Sequence, residues 1–439
     1  MINDEELNRN PQHSVPTLAL DRLEAVTALG RGAKGVVFLA RDEVKDEILA
    51  LKVISRDSIE KKSSKTVKSG NGNEGNEYRR VTFEQEVLRN FNHPLFPRLR
   101  GVLGTDKVVG YAIDYCPGRD LNSLRRKQTE QMFSDGIIRF FAAELVLALE
   151  YLHNLGIVYR DLKPENIMIQ ENGHIMLVDF DLSAKLSPIS PKSSTPTNSV
   201  NQTPSNSIKK KRFSLFQRYC NSGISPDDSA SQASVNSEHT ESDSVEKSNS
   251  FVGTEEYVAP EIISGKGHDF GVDWWSLGIV LHEMLYGTTP FRGLNRKETF
   301  YRILTKSPDL VGEPTSLRNL IRKLLEKDPK KRISLEGIKG HNYFKGIDWE
   351  LILGIERPPY IPVQTEKDFW EEGTEVINKI DVELFVQGIF ENAGEGGVQN
   401  KGKPDHSLNT NNNLENVNKN DRLRGQNHRS FEANPFSVF

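Results

Sequence analysis

Two short stretches of the sequence gather side chains that could do chemistry. The run "IVYRDLKPENIMI" (157–169) sets Asp161, Lys163 and Asn166 in a polar turn between apolar segments, and "IMLVDFDLS" (175–183) puts Asp179 at the end of a strand-like run. Asp179 and Asn166 offer the hard oxygen ligands that Mg2+ takes. Asp161 suits orienting an attacking hydroxyl and accepting its proton, and Lys163 suits neutralising charge on a moving phosphoryl group. Transfer of a nucleotide γ-phosphoryl group needs all of these, and a chance loop rarely carries them in this order.

A glycine pattern lies upstream. In "ALGRGAKGVVFLA", Gly30, Gly32 and Gly35 form Gly-x-Gly-x-x-Gly between two strand-like runs. Glycine permits a tight turn and lets backbone N–H groups approach phosphate oxygens without a Cβ in the way. An ordinary flexible hairpin accounts for the pattern equally well. A dinucleotide-binding turn should open a helix, whereas "VVFLA" continues as strand. Lys52 alternates with apolar residues in "ILALKVI"; strand lysines are commonly solvated edges, but this one can reach back across a hairpin to phosphates. The helix-like "VTFEQEVLRNF" offers Glu84 or Glu86 as its ion-pair partner.

Two kinds of framework must position these groups. Residues 22–118 hold the short β-rich runs "GVVFLA", "EILALKVI" and "VVGYAIDYC", separated by that one helical segment. Residues 135–344 read mostly helical, as in "IIRFFAAELVLALEYLHNLG" and "LRNLIRKLLEKD". The pattern predicts an α+β protein, a small β-rich lobe before a larger helical lobe with a cleft between them. Three low-complexity stretches interrupt it. Residues 61–80 read as a surface loop, 187–249 hold too few large apolar residues to offset ordering entropy, and about Asn392 to Arg429 is polar and Asn-rich. All three are expected to be mobile and without regular structure.

With 439 residues, 36% of them hydrophobic, the chain can build more than one core. A net charge of −4 exerts no global attraction for nucleic acid or anionic membrane, so no nucleic-acid partner is expected. Two cysteines, Cys116 and Cys220, cannot form a disulfide framework, which favours a reducing setting. "MINDEELNRN" lacks the basic and then apolar regions of a signal peptide. "WWSLGIVLHEML" is shorter than the about 20 residues a bilayer requires. A soluble intracellular protein is expected.

From about Asp21 to Phe344 the chain resembles the eukaryotic protein kinases. "YRD", "GTEEYVAPE" and "DWWSLG" are similar to the AGC group of Ser/Thr kinases, and "DFD" followed by a long insertion resembles the plant group VIII of that set. The resemblance implies a bilobal kinase fold using ATP and Mg2+. Residues 1–20 would be a flexible N-terminus, 21–116 the N-lobe, 117–344 the C-lobe with a disordered insertion at about 187–249, and 345–439 a C-terminal tail. The phosphate-covering loop and its flanks would be Leu29, Gly30, Arg31, Gly32, Ala33, Lys34, Gly35, Val36 and Val37. Lys52 matches the strand lysine and Glu84, rather than Glu86, its partner. Asp161 stands in "YRD", where the family more often has "HRD". Asp114 and Cys116 fall on the interlobe hinge where backbone groups meet adenine, Asp120 is placed to meet the ribose, and Glu165 joins the nucleotide-binding set. Glu261 of "APE" would pair with Arg332. Asp273 would anchor the catalytic turn through its backbone, or else simply cap the helix it opens.

One position departs from the family: Asp181 stands where Asp-Phe-Gly has glycine. Aspartate tolerates left-handed backbone angles better than most residues yet restricts a loop more than glycine does. The expected effect is a bias towards the metal-competent loop, with catalysis intact. A pseudokinase or a signalling scaffold is the alternative, and the presence of Lys52, Asp161, Asn166 and Asp179 speaks against it.

Regulation is legible in part. Arg160 leaves a cation beside Asp161 that an activation-segment phosphate would satisfy, and Ser250 in "SNSFVGTEEY" is the matching acceptor. The small pocket implied by Thr254, with the acids Glu165 and Glu283, suggests Ser/Thr substrates in a basic context. The chain ends "EANPFSVF", with Phe436 and Phe439 spaced to share one face of a turn. The resemblance implies that this Phe-x-x-Phe docks into a small-lobe groove or recruits an upstream phosphoinositide-dependent protein kinase, and the absence of a following phosphorylatable serine favours constitutive docking to that kinase. In "KKKRFSLFQRY", Lys209 to Arg212 could form a nuclear-import signal, a patch for anionic membrane lipid, or a solvated tract. A monomer in cytoplasm and nucleus, with peripheral contact at the plasma membrane, is expected, and the resemblance implies a place in oxidative-stress, defence or root-hair signalling.

Overall fold

The computed structural model describes residues 15–32, 35–60, 76–186, 253–355 and 380–391. Ala33, Lys34, the insertion at 187–249 with its basic run, Ser250, Phe436, Phe439 and the Asn-rich stretch 392–429 lie outside the described residues.

The β-rich runs fold into one sheet. Strands β1 (Thr17–Leu18), β2 (Leu23–Arg31), β3 (Gly35–Asp42), β4 (Glu47–Ser55), β5 (Leu99–Gly104) and β6 (Val108–Asp114) are ordered β1-β5-β6-β4-β3-β2. Between β4 and β5 runs α1 (Asn76–Arg89). The alternation of a strand decides what faces the cleft. Val36, Phe38 and Ala40 of β3 and Leu49, Leu51 and Val53 of β4 are buried together on one face. Val37 is registered opposite Lys52, so these two share the other face.

Two expectations change here. Residues 17–18 are not a free N-terminus: Thr17 and Leu18 pair in parallel with Val102 and Leu103. Gly101 makes room for this, since a Cβ there would lie 2.5 Å from the buried Leu18 side chain. The loop read over 61–80 also ends earlier, because 76–80 already belong to α1.

The C-lobe is built around helices whose apolar faces meet. Asp120 caps α2 (Leu121–Arg126). In α3 (Asp135–Asn154), Ile138, Phe141, Leu145, Leu149 and Leu152 recur at helical spacing and are fully buried. Two small antiparallel pairings flank the polar turn: β7 (Ile157–Val158) with β10 (Ala184–Lys185), and β8 (Ile167–Ile169) with β9 (Ile175–Leu177). Next come α4 (Pro260–Ile263) and α5 (Gly271–Tyr286), the latter apolar nearly all round and buried from Val272 to Met284. It stops at Gly287, whose φ of 72° is left-handed. Then follow α6 (Arg296–Thr305), α7 (Ser316–Leu324) and α8 (Leu335–Lys339). Among the described residues no helix is long and apolar enough to cross a membrane.

The chain then returns to the small lobe. Helix α9 (Val382–Glu391) lays Val382 and Val386 into the sheet face that carries Val36, Phe38 and Val53. Phe385 meets Phe38 edge-on at 5.4 Å, and the Ile380 amide donates to the Ala25 carbonyl at 3.2 Å. The tail therefore completes the N-lobe core rather than trailing from the domain.

One buried ion pair ties the lower lobe together. Arg332 donates to both oxygens of Glu261, at 2.6 and 2.9 Å, and to the Gly271 and Glu326 carbonyls. Removing one partner leaves a buried charge uncompensated. Arg332→Ala is therefore expected to destabilise the domain by about 3–5 kcal/mol in denaturant titration, and a loss below about 1 kcal/mol would contradict the assignment.

Candidate active site

Lys52 sits where the lobes meet. Its ammonium donates to Glu84 of α1 at 2.9 and 3.1 Å and to Asp179 at 3.0 Å. Glu84 is buried, whereas Glu86 makes no contact with Lys52, which settles the choice left open by sequence. Burial disfavours an ammonium, but Glu84, with Tyr111 and Asp179 beside it, overrides this and holds the Lys52 pKa well above its ordinary value. The charge of Lys52, against burial, keeps the Asp179 carboxyl below its usual range.

The polar turn is held from beneath. Asp273 is fully buried and accepts from the backbone amides of Tyr159 (2.9 Å) and Arg160 (2.8 Å), while the His153 ring lies 2.8 Å away. It is not the N-cap of α5, so the anchoring alternative holds. These bonds secure Arg160 in a left-handed conformation, φ 69°. The turn then presents Asp161. Its Oδ1 accepts from the Thr254 hydroxyl at 2.7 Å, and its Oδ2 from Lys163 at 2.7 Å and Asn166 at 3.0 Å. Four of the sequence-predicted residues, from stretches 91 positions apart, converge within hydrogen-bond distance.

Asp179 itself is left-handed, φ 61°, while Asp181 is not among the described residues with positive φ. A side chain at 181 therefore costs no left-handed strain in this loop, and the replacement of glycine there is compatible with the conformation seen. Phe180 is fully buried against Phe91, Phe96 and Tyr159, and its amide donates to Glu84 at 3.1 Å. The loop thus turns Asp179 towards Lys52 and Phe180 into the core.

The residues fit a magnesium nucleotide. Neither Gly30 nor Gly32 is left-handed; among the described residues a Cβ on Gly30 would meet nothing within 4 Å, and one on Gly32 only the Gly35 carbonyl at 3.7 Å. Packing against the described residues does not require glycine at these two positions, so the open backbone there suits close approach of a phosphate chain. Gly35 differs: a Cβ would lie 2.3 Å from the Val53 carbonyl, so β4 itself demands glycine. Asn166 uses its amide nitrogen towards Asp161, leaving its oxygen for another partner, and the Asp179 side chain is 43% exposed. One Asn and one Asp oxygen match the few protein ligands that Mg2+ takes.

The side chains of the predicted nucleotide-binding residues do not all face the cleft. Val36 is buried on the sheet face opposite Lys52, and Arg31, registered with Val36, points to that side as well. Val37 alone of this pair shares the Lys52 face. Leu29 is 40% exposed. Asp114 ends β6, its carboxylate engaged by Arg100 (2.5 Å) and the Arg98 amide (2.9 Å), which leaves the hinge role to its backbone. Cys116 is buried with its sulfur 3.5 Å from that of Met176; burial and the Asp114 charge push its thiol up to about 12. Both Asp120 oxygens are used within α2, accepting from the Ser123 amide and hydroxyl at 2.8 and 2.7 Å. Asp120 is therefore first a helix cap. Glu165 accepts from Asn122 at 2.9 Å.

Sequence reasoning passed over four residues here. Arg125 of α2 reaches Glu283 at 3.0 Å, and Glu283 also accepts from the Tyr257 hydroxyl. Burial raises the Glu283 pKa; Tyr257 and Arg125 oppose this, and the charges of Glu165 and Glu256 add to it. Glu256 and Arg125 carried no motif of their own. Arg80 on α1 is close enough to Arg160 to act on its charge: burial lowers the Arg160 pKa to about 10, Asp273 opposes, and Arg80 contributes. Asn122, which bridges Glu165 and Arg125, is buried in α2.

The protein kinase domain family matches residues 23–205 and 233–344. Serine/threonine-protein kinase OXI1 of Arabidopsis thaliana is 61% identical over 388 residues, covering 88% of this chain and 90% of that protein. Serine/threonine-protein kinase UCN of the same plant is 40% identical, covering 82% and 88%. Phototropin-2 of Oryza sativa subsp. japonica is 38% identical over 78% of this chain, which corresponds to 34% of its own length.

The negative-side backbone of Asp181 generates a direct test. Asp181→Gly should leave turnover within about tenfold of the parent in a peptide assay, since it relieves no strain and removes no ligand. A variant that gains activity from near zero would show the native motif to be disabling.

Proposed function

This chain belongs to the protein kinase family, among the plant AGC Ser/Thr kinases, and from that premise we infer that its cleft residues divide the work of phosphoryl transfer as follows. Glu84 fixes Lys52 for the nucleotide phosphates. Asn166 and Asp179 are the metal ligands. Asp161 orients the substrate hydroxyl and takes its proton, and Lys163 lies beside it to meet charge on the transferred group. Gly30 and Gly32 cover the phosphates, with Val37 on the same face; the backbone at Asp114 and Cys116 lines the adenine edge. Bound Mg2+ and ATP supply the transferable group and neutralise its oxygens.

The observation that carries this reading is the contact of Asp161 Oδ1 with the Thr254 hydroxyl at 2.7 Å. A carboxylate that already accepts from a Thr hydroxyl has the geometry to accept from a substrate Ser or Thr. The acids Glu165, Glu256 and Glu283 support a basic context around that hydroxyl.

Regulation follows by the same chemistry. The Arg160 guanidinium donates to the Leu182 carbonyl at 2.6 Å, at the start of the activation segment, and the charge of Arg80 acts on it, which supports phosphorylation of Ser250 as the activating event. Phe436 and Phe439 are assigned the recruitment of an upstream phosphoinositide-dependent protein kinase. A role in stress and oxidative-burst signalling, with location in cytoplasm and nucleus and peripheral contact with anionic membrane, rests on the group VIII resemblance and the basic run at Lys209 to Arg212 alone.

Asp161→Asn should lower kcat about 10²- to 10⁴-fold in a radiolabelled phosphate-transfer assay while ATP still binds; undiminished transfer would return the chain to a scaffold role. Ser250→Ala, assayed after treatment with the upstream kinase, should lose about tenfold or more of the activation. Equal activation of the variant and the parent would remove Ser250 from regulation.

A further inference from the structure

The phosphoryl-transfer reading leaves α9 without a task, although this helix touches the glycine loop. Arg31 lies inside Gly-Arg-Gly, and its pairing with Val36 turns it to the sheet face that α9 covers. Its Nη2 donates to the Ile389 carbonyl at 3.2 Å, and the guanidinium stands 5.5 Å from the centre of the Phe390 ring. Ile389 is in the last turn of α9, where carbonyls lack an intrahelical partner and the helix dipole favours a cation. The other end of the helix is anchored independently. The Ile380 amide bonds Ala25, Glu383 accepts from the Thr105 hydroxyl at 2.5 Å, and Lys107 lies 3.6 Å from Glu383. Between these ends Val382 and Val386 are buried in the sheet core.

The arrangement has a mechanical consequence. Gly30 and Gly32 have no side chains with which to fix their own backbone, so the loop needs a handle outside itself. Arg31 is such a handle, and α9 is seated on the strands that carry Lys52 and Ala25 rather than on the loop. We propose that α9 is a strut for the glycine loop and that Arg31 is a positioning residue for nucleotide binding, acting through the carbonyl of Ile389 and the ring of Phe390. The side chain itself faces away from the cleft. This rests on the reading of the loop as the phosphate cover.

Kinetics of the full chain, with ATP varied at saturating peptide, test the coupling. Arg31→Ala should raise the KM for ATP about three- to tenfold, the range for one exposed charge-assisted contact, and leave kcat and the peptide KM within about twofold. Phe390→Ala should move the ATP KM in the same direction by less. Arg31→Lys should recover only part of the effect, because an ammonium cannot stack as a planar guanidinium does. In a Val386→Asp background, where the helix is unseated, adding Arg31→Ala should raise the KM no further. If that background does not fold, Phe390→Ala takes its place in the cycle. An unchanged ATP KM in Arg31→Ala, or effects that simply add, overturns the strut. Failure of the parent chain to transfer phosphate at all would instead remove the reading on which the strut rests.

Discussion

The cleft is registered against a single ammonium. Lys52 comes from the sheet, Glu84 from α1, and Asp179 from the strand end of the other lobe, and all three meet within 3.1 Å. Taking a lysine out of water is costly unless acceptors surround it. With Lys52 removed, Glu84 would be left as a carboxylate 1% exposed, and Asp179 would lose the charge that lowers its pKa. The packing of α1, the angle of the sheet and the direction of Asp179 are thus coupled through one contact set. The Glu84 carboxylate extends it, accepting the Phe180 amide as well as the lysine, so that the inward position of the ring and the cleft-facing position of Asp179 come as one state.

In the cleft, backbone strain is placed where it is compensated. Arg160 and Asp179 are non-glycine residues in left-handed conformations, each costing on the order of 1–3 kcal/mol. Asp273 offsets the first by accepting two consecutive amides from a fully buried position. Lys52 offsets the second. Asp181 needs no such compensation, which explains how the loop keeps its shape without the family's glycine.

Much of this was legible in sequence because the chemistry is local. Asp161, Lys163 and Asn166 lie within one turn, and their convergence follows from that spacing. The Glu261–Arg332 pair and the Asp273 anchor were read through resemblance, and the buried geometry agrees with both. What escaped is contact between distant segments. Nothing in "VELFVQGIF" says which surface its apolar face covers, since an amphipathic stretch states only that a partner exists. The side-chain directions of Val36 and Arg31 were not legible, because a glycine loop does not reveal which strand face continues into the cleft; register decides that, and one residue reverses it. Asp120 shows a different limit. The type and position that would suit a ribose also suit a helix cap, and only the two bonds to Ser123 reveal the second.

The cluster of Glu165, Glu256 and Glu283 shows how internal arginines set the terms for an incoming one. Glu283 is paired with Arg125 at 3.0 Å, Arg125 also donates to Asn122, and Asn122 donates to Glu165. Glu256 accepts from Thr289 and lies 3.6 Å from the exposed Arg292. The cluster is therefore largely satisfied before any substrate arrives. A basic substrate side chain of the kind inferred above would gain only the difference between its own contacts and those it displaces. Arg292 is 70% exposed and yields at little cost, whereas the Arg125 side chain is 8% exposed and held on three sides. Selectivity at such a site comes from which acid can be freed, so the balance tilts towards Glu256 and away from Glu283.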